Sequence, residues 1–503
     1  MTQKIMFQGT GSNVGKSLLN AAFCRTAVRR GYRTAPYKSQ NMALNSYITK
    51  DGKEMGRAQV VQAECCRIEP EADMNPILLK PNSDMGSQVI VNGTVRGNMA
   101  ASIYYDHKDE LLREALKAYD RLAEKSDLIV IEGAGSPAEI NLRQNDIVNM
   151  GLATEIDAPV VLVCDIDKGG VFASLYGTVM LLEPEERDLI KGFIINKFRG
   201  DVELLKPGID MIVDKIGIPC LGVMPYRRFR IDDEDSVAER IQYSGTGGAL
   251  SIGVIGLSHI SNFTDLTVFD MYDDVTVSWL RDADKLMEAD IDLLVIPGSK
   301  NTVDDMKVLN RSGLADAIRR KAETVPVIGI CGGYQLLGRE IKDPLGVESP
   351  TKSIEGLGLL DTVTELAGEK TTTRISGSVL NGAMLPQLSG AAIDGYEIHM
   401  GTTTLGEDVK PFVRLEDGRE DGAVSEDGRV MGSYLHGLFD NDGLRNALIE
   451  KLTGRKSEAA EKSFRDFKEE QYDLLADTFE EFVDTDALFQ IAGLDPAGKG
   501  SHV

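Results

Sequence analysis

Pro326-Val327-Ile328-Gly329-Ile330-Cys331-Gly332-Gly333-Tyr334-Gln335 is the stretch whose reading decides the fold. An apolar run, Val327 to Ile330, stops at a cysteine, and two glycines precede an amphipathic segment. That is the pattern of a buried strand turning sharply into a helix, with the cysteine at the apex. In such an elbow the side chain projects from the sheet edge, and glycines let the backbone turn without a Cβ clash. The Gly332 N–H then opens a helix, where it favours a thiolate and can bind an oxyanion. A free cysteine behind a strand is more often a core residue. The Gly-x-Cys-Gly-Gly setting instead marks Cys331 as a nucleophile, and a cysteine nucleophile needs a histidine.

Working outward, Ser251 to Gly256 and Leu293 to Pro297 read as strands of the same βα series. Pro297-Gly298-Ser299-Lys300 follows the second of these, so the N–H groups of Gly298 and Ser299 could complete an oxyanion hole with that of Gly332. Of five histidines, His399 and His436 lie downstream in ordered-looking sequence. His436, after the strand-like Val430 to Leu435, is favoured as the base over His399, which sits in Gly395-Tyr396-Glu397-Ile398-His399-Met400-Gly401. From Lys462 to Leu488 an acidic helical pattern puts Phe464, Phe467, Leu475, Phe479 and Phe482 on one face, as a packing helix does.

At 503 residues the chain has room for two or three domains. Its 42% hydrophobic and 27% charged content is that of a globular protein. No apolar run approaches the ~20 residues of a membrane span, and the N-terminus lacks a signal-peptide pattern, so a cytoplasmic protein without a membrane partner is expected. Six cysteines without zinc spacing fit a reduced compartment. A formal net charge of −24 argues against nucleic acid as a partner. The composition leaves the oligomeric state open.

The amino-terminal half opens with an apolar strand, Lys4 to Phe7, then Gln8-Gly9-Thr10-Gly11-Ser12-Asn13-Val14-Gly15-Lys16-Ser17, then a helix pattern to Arg30. Strand, glycine loop ending in Gly-Lys-Ser, and helix form the context of a phosphate-binding loop. Backbone N–H groups from Gly11 to Gly15 would cradle phosphates, Lys16 would reach the β/γ oxygens, and Ser17 would ligate Mg²⁺. Thr10 stands where the first glycine of the standard motif belongs. Strand candidates follow at Arg33 to Tyr37, Leu128 to Glu132, Val160 to Asp165, Gly192 to Lys197 and Cys220 to Met224, with helical patterns at Glu54 to Arg67 and Asp109 to Lys125 between them. This alternation predicts a parallel sheet with ligands at the strands' carboxyl ends. Glu132 ends one strand as a second Mg²⁺ ligand, with Asp165 and Asp167 as weaker candidates. Two polar stretches, Tyr37 to Ser46 and Met74 to Pro81, would lie on the ligand side, as would Glu139 to Asp146. Lys38 and Lys80 are the cations for substrate carboxylates, with Gln40, Asn41 and Asp146 as further contacts.

Four segments are therefore expected: a P-loop domain over 1–235, a linker over 236–249, a second α/β domain with the Cys331/His436 pair over 250–450 and a helical extension over 451–503. The Gly-Thr-Gly-Ser-Asn-Val-Gly-Lys-Ser loop resembles the variant of dethiobiotin synthetase-like ATPases, in which an Asn at the position of Asn196 reads the adenine edge. Together with Lys38-Ser39-Gln40-Asn41-Met42, Asn75-Pro76-Ile77-Leu78-Leu79-Lys80-Pro81, the cysteine elbow and the Tyr-Glu-Ile-His-Met-Gly stretch, the chain resembles the cobyrinic acid amidotransferase family of cobalamin biosynthesis over essentially its whole length. Within that family the Gln-Asn-Met and Tyr-Glu-Ile-His-Met-Gly stretches resemble the branch that makes cobyric acid.

The resemblance implies an α/β protein in which a P-loop domain precedes a class I glutamine amidotransferase-like domain. Cys331 would be the nucleophile and His436 its partner. ATP, Mg²⁺ and glutamine would be consumed or bound, and a carboxylate activated as an acyl phosphate. The implied substrate is a corrinoid, adenosylcobyrinic acid a,c-diamide, amidated at its b, d, e and g carboxylates. Class I glutaminases carry a Glu two residues after the histidine, where this chain has Leu438, so the third member is missing or comes from elsewhere, with Glu397 as a candidate. The competing readings are the a,c-diamide synthase of the same family and, in another class, a partition-type ATPase with a non-catalytic second domain.

Overall fold

A computed structural model describes residues 2–83, 86–100, 107–232, 248–456 and 462–499. The chain forms two compact units, one of Met1–Ala43, Glu54–Ile231 and Lys468–Val503, the other of Leu44–Lys53 and Asp232–Phe467. These differ from the serial division expected: ten residues of the first half join the second unit, and the carboxyl-terminal segment returns to the first. Of the expected linker, 236–247 lies outside the described residues.

In the first unit a six-stranded sheet runs in the order Cys220–Pro225, Ile190–Phe198, Val160–Asp165, Gln3–Gly9, Leu128–Glu132, Thr34–Tyr37. All its pairings are parallel. Leu128 to Ile131 and Val160 to Val163 are fully buried, which is why these strands are near-continuously apolar rather than alternating. Each large side chain removed from water contributes about 1.5–3 kcal/mol. A second sheet runs Gln40–Met42, Ile77–Ser83, Gly86–Val91, Thr94–Ala100, and its first two strands fall in the polar stretches expected on the ligand side.

The returning carboxyl-terminal segment covers the helix Lys16–Arg29. Fully buried Phe23 lies 6.4 Å from Phe479 and 5.1 Å from Phe489, centroid to centroid. Buried Arg25 pairs with Glu469 at 2.6 Å and Asp473 at 2.8 Å. The expected single helix to Leu488 is broken, as Phe464–Phe482 and Thr485–Ile491, with Asp484 capping the second through the Ala487 N–H. Phe464 and Phe467 belong to the second unit's core, whereas Leu475 and Phe479 belong to the first.

The second unit carries the sheet Val275–Leu280, Leu250–Ile255, Leu293–Ile296, Val327–Ile330, Val430–Ser433, Ala423–Ser425, Val409–Lys410. Its first five strands are parallel and its last two antiparallel. A second sheet is built on the long antiparallel pair Thr362–Val379 and Ala392–Leu405, with the short strand Leu435–His436 at its edge. Among the described residues no helix is long and apolar enough to cross a membrane, and all six cysteines are free thiols.

Candidate active site

Val327–Ile330 is the central strand of the second unit, and Gly332–Leu337 is the helix that follows it. Cys331 joins them at φ 53°, ψ −110°, a conformation that costs a non-glycine residue about 1–3 kcal/mol. Its N–H donates to the Ser433 carbonyl at 2.8 Å, and Sγ donates to the Ile398 carbonyl at 3.3 Å. A Cβ on Gly332 would lie 2.6 Å from the Ser299 nitrogen, so only glycine lets the loop after Leu293–Ile296 approach the elbow this closely. The Ser299 nitrogen thus stands against Gly332, the residue that follows the thiol. Gly298 abuts His436: a Cβ there would be 3.3 Å from the ring's Cε1.

His436 is buried, and its Nδ1 lies 2.8 Å from Asp265 Oδ2. Asp265 accepts the Gly437 N–H on its other oxygen, also at 2.8 Å. Burial pushes the imidazole towards neutrality, but the Asp265 carboxylate and a hydrogen-bonded Cys331 outweigh it and raise the His436 pKa to about 10. Tyr396 stacks on the ring with centroids 5.3 Å apart, fixing its plane. Cys331, His436 and Asp265 therefore form one continuous line of contacts.

Asp265 was absent from the sequence reading, and Glu397 does not fill that place. Glu397 turns away from the ring and pairs with Arg419 at 3.0 Å. Leu438 is fully buried core, so its position has no room for a carboxylate. His399 makes neither contact: its Nδ1 is bonded to the Gly401 carbonyl at 3.1 Å, and burial lowers its pKa to about 4.

In the first unit, Gly9 ends the strand and Lys16 opens the helix, leaving 10–15 as the connecting loop. Ser12 and Asn13 are exposed, Gly11 and Gly15 half-buried, and Val14 is anchored in the core. Lys16 Nζ donates to the carbonyls of Gly11 (3.2 Å) and Gly135 (3.1 Å), which curls the loop around the ammonium. Asn196 Nδ2 donates to the Val14 carbonyl at 2.8 Å, and a Cβ on Gly15 would lie 2.2 Å from that nitrogen. Both contacts take up carbonyl groups of the loop and hold its backbone in the turn that a phosphate-binding loop requires.

Ser17 Oγ donates to Glu132 Oε1 at 2.8 Å. Lys38 Nζ reaches the same oxygen at 2.8 Å, while Gln62 at 2.6 Å and Gln59 at 3.4 Å donate to Oε2. Lys38 and Glu132 are thus a buried, fully hydrogen-bonded ion pair. A hydroxyl and a carboxylate are the hard oxygen donors that Mg²⁺ takes beside phosphate oxygens, so the residues present fit that ion. Among the described residues no group of three or more His, Cys, Asp or Glu is placed to hold a metal by itself.

Asn41 Nδ2 donates to Gln59 at 3.2 Å and so joins this cluster. Gln40 is half-buried in the second sheet, paired in register with Ile77. Lys80 forms its own buried pair with Glu54 at 2.8 Å. Asp146 accepts the N–H groups of Val148, Asn149 and Gly151, capping the turn into Met150–Glu155. Asp165 pairs with Lys197 at 3.0 Å and Asp167 with Arg199 at 2.9 Å.

Residues 5–235 match the family model of the CobQ/CobB/MinD/ParA nucleotide binding domain, and residues 251–444 match that of the CobB/CobQ-like glutamine amidotransferase domain. A cobyric acid synthase of Clostridium acetobutylicum is 50% identical over 98% of this chain and 99% of its own length. The cobyric acid synthases of Clostridium botulinum and Alkaliphilus metalliredigens are each 49% identical, over 98% and 97% of this chain and 99% of their own lengths. Sharing both domains and half its residues with these proteins from end to end, the chain belongs to the cobyric acid synthase family of glutamine amidotransferase-type ligases.

Proposed function

We propose that the chain amidates the b, d, e and g carboxylates of adenosylcobyrinic acid a,c-diamide, in the cytoplasm, using glutamine as ammonia donor and ATP to activate each acid. The observation that carries this reading is the Cys331–His436–Asp265 line of contacts in a chain that also has the Lys16–Ser17–Glu132 loop site. Cys331 Sγ attacks the glutamine carboxamide carbon as the thiolate, its proton held on the His436 imidazolium beside Asp265. The N–H groups of Ser299 and Gly332, with Gly298 shaping the pocket, receive the charge on the carbonyl oxygen. His436 then protonates the departing nitrogen, ammonia leaves, and water resolves the thioester to glutamate. Asp265 holds the ring in the tautomer and orientation that this exchange needs.

In the other unit, ATP with Mg²⁺ supplies the phosphoryl group that turns a carboxylate into an acyl phosphate, a far better electrophile towards ammonia. The loop amides of 11–15 and Lys16 would hold the phosphates, Ser17 and Glu132 would take the metal, and Asn196, bonded to the Val14 carbonyl, would stand beside the base. Lys38 and Asn41, both in the Glu132 cluster, and neighbouring Gln40 would meet the acceptor carboxylate, whereas Lys80 and Asp146 are engaged by Glu54 and by backbone N–H groups. A single active point serving four differently placed acids requires the macrocycle to be held loosely and presented anew each time.

Mass spectrometry of a time course with the a,c-diamide, glutamine and ATP tests this. Four successive single amide additions, each with one ATP and one glutamine consumed, are expected, with partly amidated products free in solution. Products that stop at one added amide, or amidation of unamidated cobyrinic acid at a and c, would assign the chain to the a,c-diamide branch. Absence of glutamine hydrolysis would leave a nucleotide-binding protein with an inert second domain.

A further inference from the structure

His399 follows directly on Ile398, whose carbonyl accepts the Cys331 thiol. Its ring stacks on Tyr434, with centroids 3.7 Å apart and planes 16° from parallel. The Gly401 carbonyl can only accept, so Nδ1 carries the proton and Nε2 is left as a bare acceptor. Nε2 is shielded from solvent, and among the described residues no donor reaches it. The polar groups around it satisfy one another instead. Tyr434 Oη is bonded to Thr403 Oγ1 at 2.6 Å and receives Gln335 Nε2 at 3.3 Å, and Gln335 also donates to the Met400 carbonyl at 3.1 Å.

A shielded acceptor without a donor is costly, and buried polar atoms of that kind call for an explanation. Burial, reinforced by the neighbouring His436, keeps this imidazole neutral, so it accepts at any pH at which the protein works. It is no second base, because the thiol and the carboxylate are both engaged by His436. What is missing at Nε2 is an N–H.

We propose that His399 Nε2 accepts a hydrogen bond from an N–H of glutamine, its α-ammonium or its carboxamide, when the substrate is seated at Cys331. The assignment rests on the glutaminase reading above. It makes His399 a substrate-selecting residue: a site built to hydrogen-bond an N–H discriminates strongly against analogues that lack it.

The test measures steady-state glutamine hydrolysis by the full chain and its His399→Phe and His399→Gln variants, each with its thermal midpoint as a folding control. Phenylalanine keeps the stack on Tyr434 but has no acceptor, whereas glutamine restores an oxygen near the position of Nε2. The expected result is a rise of about tenfold in KM for His399→Phe, equivalent to about 1.4 kcal/mol, with a smaller change in kcat and most of the loss recovered in His399→Gln. An unchanged KM in His399→Phe, a loss confined to kcat, or a folded His399→Gln as impaired as His399→Phe would overturn the proposal. Repeating the comparison with glutaramate, which lacks the α-ammonium, locates the donor. A loss specific to glutamine assigns the ammonium, and equal losses assign the carboxamide. An unsubstituted chain that fails to hydrolyse glutamine overturns the glutaminase reading, and this assignment with it.

Discussion

Asp265 holds His436 from 171 residues away, meeting its ring Nδ1 with one carboxylate oxygen while the other accepts the N–H of the next residue, Gly437. The double contact fixes both the imidazole and the turn that carries it. It comes from the 3₁₀ segment Phe263–Met271, on the opposite side of the chain from the position where class I glutaminases place their carboxylate.

Replacing Asp265→Asn removes the charge and keeps the shape. Loss of the correctly oriented tautomer should lower kcat for glutamine hydrolysis by roughly two to four orders of magnitude. The carboxylate opposes burial and holds the imidazolium proton on, so its removal lets the ring deprotonate at lower pH. The alkaline limb of the pH–rate profile should shift downward. A profile with an unmoved limb would show that another group sets the charge on His436.

Cys331 combines chemistry with backbone strain, so two substitutions separate the two. Both Cys331→Ala and Cys331→Gly should abolish glutamine-dependent amidation while ammonia-dependent amidation continues. Only the glycine variant relieves the φ of 53°, and it should unfold later than the alanine variant by about 1–3 kcal/mol. Loss of amidation with both nitrogen donors in a folded protein would contradict separate sites for ammonia release and acid activation.

The Lys38–Glu132 pair is buried, and each partner depends on the other. Glu132→Gln leaves an ammonium without its counter-charge and should destabilise the first unit by about 3–5 kcal/mol. Adding Lys38→Met should restore much of that stability, since a matched apolar replacement removes the stranded charge. Amidation should be lost in all three proteins. Chemical denaturation of the two single variants and the double variant closes the cycle, and additive losses would show that the pair is not coupled.

Asp421 is buried beneath Tyr434, accepting the hydroxyl of Ser433 at 2.5 Å, and burial raises its pKa to about 6. An acid whose folded pKa lies above its unfolded value of 3.8 contributes stability that is fully present below pH 3.8 and lost as pH rises through 6. The difference corresponds to about 3 kcal/mol. Asp421→Asn should therefore gain on the wild type by that order between pH 3.5 and pH 7.5. Parallel stability curves over this range would exclude it.

The elbow at Cys331 was legible because an apolar run ending at Cys-Gly-Gly permits few backbone paths. The parallel strands of the first unit were legible because burial on both faces writes a continuous apolar run. Asp265 was not, since a single acid in Asn262-Phe263-Thr264-Asp265 has no period, and only the folded topology brings it to Leu435–His436. The second sheet of the first unit was hidden for another reason. Ile77-Leu78-Leu79 is three apolar residues between prolines, too short to read as a strand without its partners at Gln40–Met42 and Gly86–Val91. Lys80 and Asp146 were read as open to a ligand by their polarity, whereas Glu54 and the turn into Met150–Glu155 already engage them.

The return of Lys468–Val503 to the first unit sets an order on synthesis. Every residue of the second unit has been made by Phe467, so its core needs nothing from the segment that follows. The core of the nucleotide-binding unit does need it: Phe23 waits for Phe479 and Phe489, and Arg25 for Glu469 and Asp473. The half of the chain made first thus cannot close its core until the segment made last has joined it.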